Sequence, residues 1–227
     1  MPPLARRNAL EEDLMPRRDS FGRSGTAATE EDARAPAQLR LLPAEAGARL
    51  QGFNAALLAS HSATATLEQW RRGAAAGGPI RARRMAGPDK APTREQRERL
   101  EVGREEIVLY RRVELLCGGA ILSEAENWYV PSRLSPGIRA MLETSDMPFG
   151  RAIIALHPVR KTFAVEIYWR PAEDTQPAIS AIPWRVLQHR ALVHGPDGRP
   201  FSEVNEFYTR EILAFGADGL PQDKSTA

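Results

Sequence analysis

Between Ile107 and Val130 two strand-like runs face each other across Gly118-Gly119, and this stretch limits the fold more than any other. In the first run Ile107, Leu109, Val113 and Leu115 share one parity, and Tyr110, Arg112 and Glu114 share the other. A period of two puts such sets on opposite faces of a sheet. The second run, Ile121 to Val130, stops at Pro131, and a glycine pair between two such runs reads as a hairpin turn. Ile80 to Met85 reads as another strand. In Thr162 to Trp169, Phe163, Val165, Ile167 and Trp169 share one face and Glu166 takes the other. Val186 to His194 and Phe201 to Tyr208 form a last hairpin around Gly195-Pro196-Asp197-Gly198. Helical spacing links Leu50, Phe53, Ala56 and Leu57. Ser62 or Thr64 caps a helix carrying Leu67 and Trp70, Ser135-Pro136 starts another, and Pro148 opens a short one. Arg94 to Arg99 is a helix or a surface loop. Strands joined mostly by hairpins, with helices before and between them, predict an α+β fold: a single antiparallel sheet of about five to six strands, covered by helices on one side.

The 227 residues suit one domain, expected over 37–215. Residues 1–36 are polar, charged and without apolar period, which predicts disorder, and 216–227 read as a flexible tail. Gly73 to Pro79 reads as a break. No apolar run approaches the ~20 residues of a membrane span. Arg6, Arg7, Glu11, Glu12 and Asp13 leave no room for a secretory h-region, and the acidic residues argue against a transit peptide. The single cysteine, Cys117, has no disulfide partner within the chain and reads as a buried thiol, so the cytoplasm is the expected compartment. A net charge of +2, with basic clusters interleaved by glutamates, does not suggest a nucleic-acid stripe. No phosphate loop, dinucleotide fingerprint, nucleophile elbow or metal-spaced His/Cys set appears, so neither cofactor nor metal is expected.

The segment from Leu109 to Ile153 resembles chorismate–pyruvate lyases, which release pyruvate from chorismate to leave 4-hydroxybenzoate for ubiquinone synthesis. The shared pieces are Leu-Tyr-Arg-Arg-Val-Glu-Leu-Leu-Cys, a Gly turn, Glu-Asn-Trp-Tyr-Val-Pro-Ser-Arg-Leu and Met-Pro-Phe-Gly-Arg-Ala-Ile. Gly198-Arg199-Pro200 followed by Asn205-Glu206-Phe207-Tyr208 is similar to the family's last strand. The likeness covers about half of the chain and implies a chorismate lyase-like fold, shared by effector-binding domains of GntR-type regulators. Those carry a winged helix in front, for which residues 1–36 are too short and too polar, so no nucleic-acid contact is expected.

The resemblance places the carboxylate-binding arginine on Arg112 and the active-site glutamate on Glu206, with Glu203 as the competing position. It adds the backbone of Phe149 and the position of Asn127, and Tyr110, which shares the parity of Arg112, is a further candidate for contact with the ligand. Asn127 stands where the family carries a second cation. A guanidinium fork matches a carboxylate bidentately. Arg112 equally suits a cross-strand pair with Glu114, Glu126 or Glu206. Glu206 lies between Val204 and Tyr208, where desolvation would favour its protonated form and suit proton delivery. Trp128 and Tyr129 read as packing residues. The implied function is the binding of a compact aromatic or enolpyruvyl acid, with elimination of pyruvate by a carbon–oxygen lyase or, alternatively, non-catalytic sensing or carriage.

Overall fold

The computed structural model describes residues 39–71, 78–173 and 175–215. The expected N-terminal segment 1–36, the tail 216–227 and most of the Gly73–Pro79 break lie outside them. Helices α1 (Pro43–Ala59) and α2 (Ala63–Trp70) precede strand β1 (Arg81–Arg84), helix α3 (Arg94–Arg99) and the hairpin of β2 (Leu109–Cys117) and β3 (Ala120–Tyr129). Helices α4 (Pro136–Thr144) and α5 (Phe149–Ala152) then lead to β4 (Val159–Ile167), β5 (Arg185–His194) and β6 (Pro200–Thr209). The strands make one antiparallel sheet in the order β1-β2-β3-β6-β5-β4. This is the single antiparallel sheet of an α+β fold, at the upper end of the five to six strands anticipated from the sequence.

Local chemistry sets the element ends. Ser62 accepts the Ala65 N–H at 3.2 Å and starts α2. Ser135 accepts from Ile138 ahead of Pro136, which starts α4. Thr93 and Gln96 exchange side-chain and backbone bonds in a capping box that makes Arg94–Arg99 a helix rather than a loop. Gly118 takes φ +57° in the β2–β3 turn, a conformation that costs glycine least.

Two cross-strand rows define the inner face of the sheet. One runs Arg111–Asn127–Val204–Ala191 and the next Val113–Ala125–Glu206–His189. Toward one end, α1 and α2 pack Leu50, Phe53, Leu57, Leu67 and Trp70 against Leu115, Leu187 and Tyr208. Toward the other, Ile138 and Leu142 of α4 and Ala152 of α5 join Tyr129, Ala191, Phe201 and Val204.

Two expectations need correction. The sheet is not covered on one side alone: Leu100, just after α3, packs with Trp128 and Val130 against the outer face, and Arg99 holds Glu203 there. Phe163 and Val165 do not share a buried face. A bulge between Thr162 and Ala164 breaks the alternation, and Phe163 lies under the guanidinia of Arg99 and Arg190. Both side chains are exposed, because β4 is an edge strand.

Candidate ligand-binding cavity

A cavity opens between the two inner packing clusters. Its floor is the sheet: Arg111, Val113 and Leu115 of β2, Ala125 and Asn127 of β3, Val204 and Glu206 of β6, with Val193 and Arg160 from the neighbouring strands. Its roof is the start of α2, Ser62 to Thr64, and Phe149, Gly150 and Ile153 at α5. The empty space is about 620 Å³, counting the part open to solvent. Gly150 permits the roof to close. A Cβ there would stand 2.9 Å from Thr64 Oγ1 and 3.0 Å from Ser62 Oγ, too close for any larger residue without movement.

The walls are mostly apolar, so each polar group on them carries weight. Glu206 is buried and already neutralised. Arg160 Nη2 donates to its Oε2 at 2.6 Å, and the Tyr208 hydroxyl donates to the same oxygen at 3.0 Å. Burial works against the Arg160 charge, but Glu206 outweighs it and holds the guanidinium pKa above its ordinary value. His189, in the same row, shares a 2.7 Å hydrogen bond between Nε2 and Asn54 Oδ1 of α1. Burial, then the charge of Arg160, push its pKa down to about 4, so the ring is neutral at physiological pH.

Arg111 is different. It is 3% exposed and forms no ion pair among the described residues. Its Nη2 donates to the Met147 carbonyl at 3.3 Å, and its Nε has no partner. Burial, followed by repulsion from Arg84, pulls its pKa down to about 10, which still leaves it charged at neutral pH. Directly across the strand pair, the Asn127 amide nitrogen is also buried without an acceptor, while its Oδ1 takes a bond from Ser202. Two buried donors on adjacent strands, Arg111 Nε and Asn127 Nδ2, therefore lack acceptors beside the cavity. That arrangement suits an anionic oxygen ligand.

The uncharacterized protein y4mC of Sinorhizobium fredii (strain NBRC 101917 / NGR234) is 39% identical over 186 residues, covering 76% of this chain and 78% of that protein. This chain belongs to the y4mC family. No family model matches it. Among solved structures, the possible transcriptional regulator YydK from Bacillus subtilis is 22% identical, covers 59% of this chain and has a TM-score of 0.40. This chain spans 58% of the YydK chain, less than two thirds of it. The effector domain of PhnF from Mycobacterium smegmatis is 13% identical over 57% of this chain and 80% of its own, with a TM-score of 0.41. A GntR-family transcriptional regulator from Enterococcus faecalis V583 is 15% identical over 56% of this chain and 92% of its own, with a TM-score of 0.38. Likeness at that level carries no functional content.

In this y4mC-family chain the residues singled out from sequence divide between the two faces. Glu206, Asn127 and Phe149 border the cavity. Arg112 does not meet Glu206. It pairs in register with Glu126 on the outer face, where it lines a groove with Lys90, Glu124, Arg185 and Phe207. Tyr110 is on that face too, donating to Glu126 at 2.9 Å, and Glu203 is held there by Arg99. Glu203 and Glu206 are three positions apart, so a strand cannot show both to one side. Sequence reasoning put the pocket on the polar side of β2, whereas the cavity lies on the apolar side, between sheet and helices. The missed signal was Arg111 itself, an arginine at the parity of Leu109, Val113 and Leu115. Arg160 precedes the run read as a strand, and nothing in the sequence singled it out. Among the described residues no helix is long and apolar enough to cross a membrane.

Proposed function

We propose that this chain binds a compact organic acid, most simply a monocarboxylate with an apolar body, in the cavity between sheet and helices, and does so as a receptor or carrier rather than as a lyase. One observation carries this reading: Arg111 is a buried guanidinium on an apolar wall with no carboxylate partner among the described residues. An uncompensated buried charge is costly, and a ligand carboxylate relieves the cost while gaining strong, charge-assisted hydrogen bonds. Asn127 Nδ2 supplies a further donor, and Val113, Val204, Ile153 and Phe149 supply apolar contact.

The charge balance favours binding over pyruvate elimination. Chorismate carries two carboxylates, and among the described residues the cavity has one uncommitted arginine, Arg111, since Arg160 is engaged by Glu206. The position where the lyase resemblance expects a second cation is Asn127. Oε2 of Glu206 is already occupied by donors of the fold, Arg160 and Tyr208, rather than turned to a leaving group. Thermal-shift titration with benzoate, 4-hydroxybenzoate and chorismate, alongside assay of released pyruvate, tests the reading. Stabilisation by a monocarboxylate, lost in Arg111→Ala and retained in Arg112→Ala, is the expected result. An undiminished shift in Arg111→Ala removes the proposed anchor, and pyruvate release from chorismate restores the lyase.

A further inference from the structure

Strand β4 closes one end of the sheet, and among the described residues no strand pairs with its outer edge. The other end is better protected: β1 is short, and its Ala82 N–H is taken by the Asp146 carbonyl at 2.7 Å. Along β4 and its exit four apolar side chains stand exposed, Val159, Phe163, Val165 and Tyr168, at 37, 40, 41 and 40%. An unpaired nine-residue edge with exposed apolar side chains is a template for another strand, and its bulge and the exposed charges of Lys161 and Glu166 restrict which strand can pair with it.

The bulge determines which strand fits. Before it the odd positions face outward: Lys161 lies beside Leu192, and Phe163 lies under Arg190. After it the even positions do: Ala164 lies beside Arg190, Glu166 beside Gln188, and Tyr168 stacks on Phe207. An antiparallel partner must present the same face at each opposed position. A second β4 meets that condition along its whole length in one register alone, with the two-fold axis between Phe163 and Ala164. There Val159 opposes Tyr168, Lys161 opposes Glu166 and Phe163 opposes Ala164 on the outer face, while Thr162 opposes Val165 on the inner. Of the exposed apolar residues, Val159 and Tyr168 meet each other, while Phe163 covers Ala164 and Val165 covers Thr162. Lys161 and Glu166, both exposed and in no ion pair among the described residues, form two symmetric cross-strand pairs.

We infer that the chain forms a two-fold homodimer through antiparallel β4–β4 pairing, joining two six-stranded sheets into one. The interface is isologous and closes on itself, so it caps the exposed edges without propagating. It is independent of what the cavity binds.

The test is sedimentation equilibrium of the full chain over a concentration series, with hydrogen exchange of the β4 amides. The wild type is expected to dimerise, with β4 protection that grows with concentration. Lys161→Glu and Glu166→Lys each replace two attractive pairs by two repulsive ones and raise the dimer Kd about tenfold. The combined variant Lys161→Glu/Glu166→Lys swaps the charges and restores dimerisation, which a misfolded chain could not do. A wild type that stays monomeric overturns the inference, including one whose β4 amides are protected by a segment of the same chain. A dimer indifferent to both single reversals places the interface elsewhere and overturns it too.

Discussion

Arg111→Met should make the ligand-free protein more stable, an unusual direction for a buried substitution. The guanidinium is 3% exposed and its pKa is drawn from 12.5 to about 10, mainly by burial. A depression of that size corresponds to roughly 3 kcal/mol of unfavourable charge burial. Methionine fills much of the same volume without the charge, and gives up the hydrogen bond to Met147, worth about 1 kcal/mol. The net gain is about 2 kcal/mol, which for a domain of this size raises Tm by roughly 4–8 °C. The penalty acts wherever the native state keeps the proton, so the gain is flat across neutral pH. It declines above pH 10, where the native wild type can release the proton before the unfolded chain does. The assay is calorimetry of wild type and variant, stripped of ligand by denaturation and refolding, between pH 6 and pH 9. The variant should also lose all thermal response to the acid that stabilises the wild type by about 2.7 kcal/mol at a hundredfold excess over Kd. A variant less stable than the wild type would mean that the guanidinium is compensated in the fold, and the case for an anion site would collapse.

Glu206→Gln leaves Arg160 buried without its counter-charge and should cost about 3–5 kcal/mol in urea unfolding; a loss below about 1 kcal/mol would show that the pair is solvated in solution. His189, with its pKa lowered from 6.5 to about 4, stabilises the fold fully above pH 6.5, and that contribution is lost as pH falls towards 4. Between pH 7.5 and pH 5 the loss should reach about 2 kcal/mol, and His189→Gln should flatten the dependence of the urea midpoint on pH. Gly150→Ala drives a methyl group against Thr64 and against the Ser62 hydroxyl that caps α2, and should cost about 1–3 kcal/mol while weakening acid binding measured by calorimetric titration.

The capping residues, the Gly118-Gly119 turn and the alternation of β2 are local features, readable because backbone dihedrals and side-chain parity are fixed by near neighbours. Ser62, Ser135 and the β2–β3 hairpin accordingly sit where the sequence puts them. β4 was only partly legible, because its bulge depends on how Thr162 and Ala164 meet β5. The site divides in the same way. Glu206 was reached through the family resemblance, with Glu203 as its competitor, and its parity with Val204 and Tyr208 says only that two sides exist.

Sequence alone therefore determined a single antiparallel α+β sheet, its hairpins, and the fact that Arg111 and Arg112 look to opposite sides. Only the tertiary structure decided which side is hollow. Helices α1, α2, α4 and α5 pack on the apolar face and leave a gap there, so the arginine in the hydrophobic row faces the cavity and its neighbour faces the outer groove. The pairing of Arg160 with Glu206, 46 positions apart, likewise awaited the placement of β4 beyond β5, since no local rule brings an edge-strand cation over a central-strand carboxylate.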